Sequence, residues 1–159
     1  MSNADTKINR MLGFVALVFC WTPNVVSAQD LSPLNLLDQG EYEPTYPIVR
    51  CAALYTASLE WAGQAIKEEM YNGFVDAVQN LLVVAALIRG ERTSEDIGHV
   101  GEIVMQDARA ISDLYLLNFR QSYAATGNAW SGNPVYESDL IFCEPIAIEA
   151  SEALRQMGG

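Results

Sequence analysis

The single histidine of the chain, His99, stands three residues from Asp96 on one side and three from Glu102 on the other, with Glu95 four residues back. On a helix that spacing gathers an imidazole and carboxylates on one face, as metal ligands require. Di-metal bundles take a Glu-x-x-His motif from each of two helices and add further glutamates, so one histidine makes Asp96, His99 and Glu102 a weak candidate site. A surface histidine flanked by acids near a helix start is the simpler reading, and neither metal nor cofactor is expected.

Nucleophilic catalysis would have to draft the same His99. The chain has no Gly-x-Ser-x-Gly elbow, no Gly-Lys-Ser or Gly-Lys-Thr phosphate loop and no Cys-x-x-Cys-His haem motif. Gly98 and Gly101 fall inside a helical period. Paired acids such as Glu68-Glu69 or Glu91 with Glu95 belong on the solvated face of amphipathic helices. The expected function is non-catalytic, with a metal protein or hydrolase centred on His99 as the alternative.

The cysteines take their meaning from the start of the chain. Lys7 and Arg10 precede an uncharged run, Met11 to Trp21, and Pro23 is followed by the small-residue site Val26-Ser27-Ala28. This is the pattern of a secretory signal peptide cleaved after Ala28, too short to span a bilayer. Export to a bacterial periplasm, or secretion, is expected. Cys20 leaves with residues 1–28, and the two remaining cysteines, Cys51 and Cys143, lie too far apart for a Cys-x-x-Cys redox pair. An even count in an oxidising compartment predicts one structural disulfide.

After cleavage, seven Lys and Arg face nineteen Asp and Glu. So acidic a chain lacks the cations that nucleic acid or an anionic membrane demands, and a basic protein is the partner that remains. No stable membrane insertion is expected once the signal is removed.

The elements that would position these groups are helices. Residues 29–46 hold Pro33 and Pro44 among polar residues and tyrosines and read as an extended lead segment, with at most a helical turn from Pro33 to Gln39. Residues 47–159 form the bundle domain. Ile48, Cys51, Ala52, Tyr55, Leu59, Ala62, Ile66 and Met70 recur at three and four, predicting a first helix over about 47–71. Asn72-Gly73 reads as its stop, and a second helix resumes at Phe74 and runs to Gly90. Leu81 to Ile88 is apolar on every side, which predicts burial in the middle of a bundle. A third helix follows the loose capping signal Thr93 to Asp96 and ends near Ala125. Residues 127–137 read as a loop, and Ser138 caps a fourth helix that kinks at Pro145 or starts near Glu144.

The sequence thus predicts an all-α fold, a small bundle of three to four helices with one disulfide, preceded by a cleaved signal peptide. With both cysteines near helix starts, a simple up-down-up-down order would set them at opposite ends. Either the loop 127–137 carries the chain back along the bundle, or the first two helices are one continuous rod. The returning loop is preferred because Asn72-Gly73 is a poor helix interior.

A binding surface has one compositional candidate, the loop with Asn128, Trp130, Asn133 and Tyr136, which joins large aromatics to flexible polar residues. Its alternative is a lid packed on the bundle. A structural homo-oligomer is a further alternative for the chain as a whole.

Overall fold

Pro47 lies in the first turn of α1 (Tyr46–Ala62), where the proline's missing N–H disrupts no helical bond. The computed structural model describes residues 31–37 and 42–158 and shows an all-α four-helix bundle. The signal-peptide reading of residues 1–28 and the turn signal at Gly40 lie outside the described residues.

α1 is the central helix. Cys51, Ala52, Ala53, Leu54 and Ala57 are completely enclosed, which places burial on nearly every side of it. Its alanines leave little side chain between helix axes, so three neighbours can approach at once. The chain leaves α1 at Gly63, whose φ of 52° with ψ of −129° is open to glycine and strained for other residues. A 3-10 turn (Gly63–Ala65) and extended Ile66 and Lys67 then lead into α2 (Glu68–Thr93).

The expected helix stop at Asn72-Gly73 is therefore corrected: both residues sit exposed inside α2. A mid-helix glycine costs about 1 kcal/mol relative to alanine, too little to end a helix held by tertiary packing. The turn belongs to Gly63, where a positive φ is needed.

Ser94, at φ 57°, closes α2, and Asp96 caps α3 (Ile97–Thr126) by accepting the N–H groups of Gly98 and His99 at 3.0 and 3.1 Å. Gly127, at φ 75°, ends α3. The connecting loop is shorter than expected, Gly127–Asn133, because Asn133 rather than Ser138 caps α4 (Pro134–Met157) through its side-chain oxygen. Ser138 instead donates to the Asn35 side chain. Pro145 is interior to α4, and the chain stays helical across it with Glu144 and Pro145 exposed.

The helices alternate in direction. Tyr55 of α1 packs at a tilt on Phe74 of α2 with 5.1 Å between ring centroids, and Thr45 before α1 meets Arg89 late in α2. Ser58 and Tyr136 meet near one end of the α1–α4 pair while Cys51 and Cys143 join further along, at a Cα separation of 5.3 Å. No returning loop and no continuous rod is needed. Because α4 begins at Pro134, Cys143 lies well inside it, and an antiparallel helix passes Cys51 at that height. α1 and α2 pack against each other and against both remaining helices. α3 and α4 meet through side chains, among them Phe119 and Tyr136 at 5.6 Å. Leu54, Leu81 and Phe119 are fully enclosed, each stabilising the fold by about 1.5–3 kcal/mol.

The stretch Leu81 to Ile88 is corrected as well. Leu81, Ala85 and Ala86 are buried, but Val83, Leu87 and Ile88 are 46 %, 39 % and 36 % exposed. α1 takes the central place that an all-apolar run predicts, leaving one side of α2 uncovered.

Candidate functional site

Four groupings of side chains could carry function, and the most buried of them is polar. Arg50 of α1 and Asp139 of α4 form an ion pair at 2.6 Å with side chains 1 % and 0 % exposed. Arg50 Nε also donates to Asp139 at 3.1 Å and to the Tyr115 hydroxyl at 3.0 Å. Tyr115 donates in turn to Asp139, Leu34 N–H donates to the other carboxylate oxygen at 2.6 Å, and the Ser32 carbonyl accepts from Arg50. Burial works against the charged guanidinium, but Tyr115 and Asp139 beside it raise its pKa above the ordinary arginine value. Burial pushes the Tyr115 phenol well up, Asp139 adding to the rise and Arg50 opposing it. Enclosed and mutually satisfied, these groups clamp the lead segment, α1, α3 and α4 together.

A second cluster ties the lead segment to α2 and α3. Arg89 reaches Glu43 at 3.0 Å and Asp107 at 2.7 Å, and Thr45 also bonds Glu43. Burial favours the neutral form of Glu43, yet the bonds from Thr45 and Arg89 outweigh it and lower its pKa. Half-exposed ion pairs of this kind are worth at most about 1 kcal/mol.

The third grouping is a groove of about 550 Å³ walled by Trp61, Met70, Phe74, Trp130 and Tyr136, with Lys67 also lining it. An aromatic chain builds it: Trp61 lies 6.1 Å from Phe119, Phe119 lies 5.6 Å from Tyr136, and Tyr136 stacks on Trp130 at 5.9 Å. Trp130 Nε1 is buried with no hydrogen-bond partner among the described residues. Burial raises the Tyr136 phenol, a bond with Ser58 opposing the rise.

The fourth is the uncovered face of α2. Asp76, Asn80, Val83, Leu87 and Glu91 follow at steps of three and four and so form one stripe. Ile97, 50 % exposed at the start of α3, rests on Gly90 beside it. α2 is also the described helix long and apolar enough to cross a membrane, although it packs on three other helices.

The structure divides the loop candidates into two pairs. Trp130 and Tyr136 come together as a groove wall, while Asn128 and Asn133 build the loop itself. Asn128 Oδ1 accepts from Trp130 and Ser131 N–H, and Asn133 donates to Asn118 Oδ1 and the Ala129 carbonyl. Asp96, His99 and Glu102 are all exposed, with the Asp96 carboxylate committed to the α3 cap. Among the described residues no three His, Cys, Asp or Glu side chains gather as metal ligands.

Sequence reasoning missed Arg50 with Asp139, and Trp61, Lys67, Met70 and Phe74 as groove residues. Each had a signal. Arg50 immediately precedes Cys51 and Asp139 lies four residues before Cys143, so both charges sit beside core positions. Lys67 is the lone lysine after residue 28. Compared with known proteins, the chain matches no family model, no curated protein and no solved structure.

Proposed function

We propose that this chain is an exported, acidic, non-catalytic binding or inhibitory module that takes a basic protein partner on the open face of α2, in the periplasm. The observation that carries this reading is the mismatch between composition and burial in α2. Val83, Leu87 and Ile88 remain exposed in a helix whose other side is core. Contiguous aliphatic surface of this kind marks interaction sites.

The charges bounding it indicate the partner. Asp76 and Glu91 lie at the two ends of the same stripe, and the chain carries a net charge of −11 even with residues 1–28 counted. An amphipathic segment with an apolar strip and flanking Lys or Arg complements such a face. Electrostatic attraction would speed encounter, and salt would weaken it. The same aliphatic face also favours a second reading, a homo-oligomer joined along α2.

Affinity capture from the native cell envelope, with the oxidised protein and a Leu87→Glu variant as parallel baits at low and high salt, tests the proposal. A partner held at low salt, released at high salt and lost from Leu87→Glu supports it. Identical captures by both baits, or none at either salt, overturn it. A dimer in sedimentation that Leu87→Glu dissolves assigns the face to a second copy.

A further inference from the structure

The groove beside the Gly127–Asn133 loop has a chemistry separate from the α2 face. Phe74 in its wall lies about 13 Å along the helix axis from Val83, at 1.5 Å per residue. Trp61, Phe74, Trp130 and Tyr136 arrive from the end of α1, the start of α2, the loop and the start of α4, and together with Met70 they leave an open space of about 550 Å³. Sites for small organic ligands run from about 300 to 1,000 Å³ and are lined mainly by apolar and aromatic side chains with a few polar groups that fix orientation.

The charge of the groove is positive. Among the described residues Lys67 is the one charged residue in the lining, and it makes none of the ion pairs found there. In a chain where acids outnumber Lys and Arg by 20 to 9, a lysine beside four aromatic rings stands out; Glu68 and Glu69 follow it in the chain, but no carboxylate is among the described residues that line the groove. Trp130 lends the groove its ring, its Nε1 being enclosed with no hydrogen-bond partner among the described residues. An apolar body with a single anionic head fits this lining: its hydrocarbon covers the rings and its oxygens accept from Lys67. A cationic head would meet Lys67 with like charge. Met70, unbranched and polarizable, lets the wall adapt to a flexible chain.

We propose that this groove is a binding site for a free fatty acid, its acyl chain against Trp61, Phe74, Trp130 and Tyr136 and its carboxylate paired with Lys67. Glu68 and Glu69, next to Lys67 in the chain, oppose an anion but are exposed to solvent and outside the lining, and more distant acids are screened beyond about 8 Å, whereas the Lys67 pair acts at contact. The site does not depend on a protein partner at α2, and its test stands apart from that reading.

Titration of the exported, disulfide-bonded protein with decanoate, decanol and decyltrimethylammonium, below their aggregation concentrations, decides the matter by calorimetry and by the indole N–H resonances of Trp61 and Trp130. The expected result is saturable decanoate binding that moves both indole signals, about tenfold tighter than decanol, as a charge-assisted bond of this kind gives. Lys67→Met should abolish the preference for decanoate over decanol, and Trp130→Ala should weaken both. Absence of saturable binding, equal affinity for acid and alcohol in the wild type, or tighter binding of the cation overturns the proposal.

Discussion

Arg50 and Asp139, 89 residues apart in sequence, meet at 2.6 Å where neither side chain reaches solvent. Removing one partner leaves an uncompensated buried charge, so Arg50→Met or Asp139→Ala alone should destabilise the fold by about 3–5 kcal/mol. The double variant should lose less than the sum of the two, because neither charge is then stranded. Urea unfolding of the four proteins checks this; additive losses would show that the pair does not act as a unit.

The Cys51–Cys143 bond spans 92 residues, and both sulfurs lie in the core at 0 % exposure. Closing a loop of that length in the unfolded chain is worth about 4–5 kcal/mol on chain-entropy grounds. The Cys51→Ser/Cys143→Ser variant should lose roughly that much in chemical denaturation. The native protein should also resist dithiothreitol until denaturant opens it, and rapid reduction without denaturant would contradict the buried placement.

Two glycines should respond to alanine with opposite signs. Gly73 lies exposed within α2, and nothing stands within 4 Å of an added Cβ, so Gly73→Ala should stabilise by about 0.5–1 kcal/mol. Gly63 is equally open in space but holds φ at 52°, so Gly63→Ala should destabilise by about 1 kcal/mol or more through backbone strain alone. Thermal melts of the two variants against the parent read both signs. A stabilising Gly63→Ala would mean that α1 does not end through a conformation reserved for glycine.

Alkali should unfold the protein through its buried phenols. Burial, with Glu144 and Tyr136 nearby, pushes Tyr55 up to about 12, and Tyr115 is raised as well. In the unfolded chain a tyrosine ionises near 10, so above about pH 10 the unfolded state holds fewer protons and stability falls as pH rises. The contribution is intact below about pH 10, and each tyrosine then removes up to about 1.4 kcal/mol per pH unit until its folded pKa is reached. Urea midpoints at about pH 9, 10 and 11 should decline, and Tyr55→Phe should decline less steeply. A flat series would refute the assignment.

Much of the fold was legible because it depends on local pattern. Apolar residues at steps of three and four marked four helices, and two cysteines in an otherwise cysteine-free stretch marked their bond. Helix ends were harder to place. Asn72-Gly73 and Ser138 carry the residue types of a stop and a cap, yet α2 continues through the first, and Asn133 does the capping in place of the second. A stop or cap signal has a strength of about 1 kcal/mol, and packing along a whole helix exceeds it.

The candidate sites divide in the same way. From residue types the sequence by itself determined that the bundle is acidic, that His99 stands alone, and that Trp130 and Tyr136 lie close together in the chain. It could not show that Trp61 and Lys67 join them, that Arg50 and Asp139 neutralise each other in the core, or that Val83 and Leu87 face outward. These relations join residues brought together only when helices choose neighbours. An all-apolar run can be buried on every side, but which helix takes the centre depends on how closely the axes approach. The enclosed alanines of α1 gave it that place, and one side of α2 remained open.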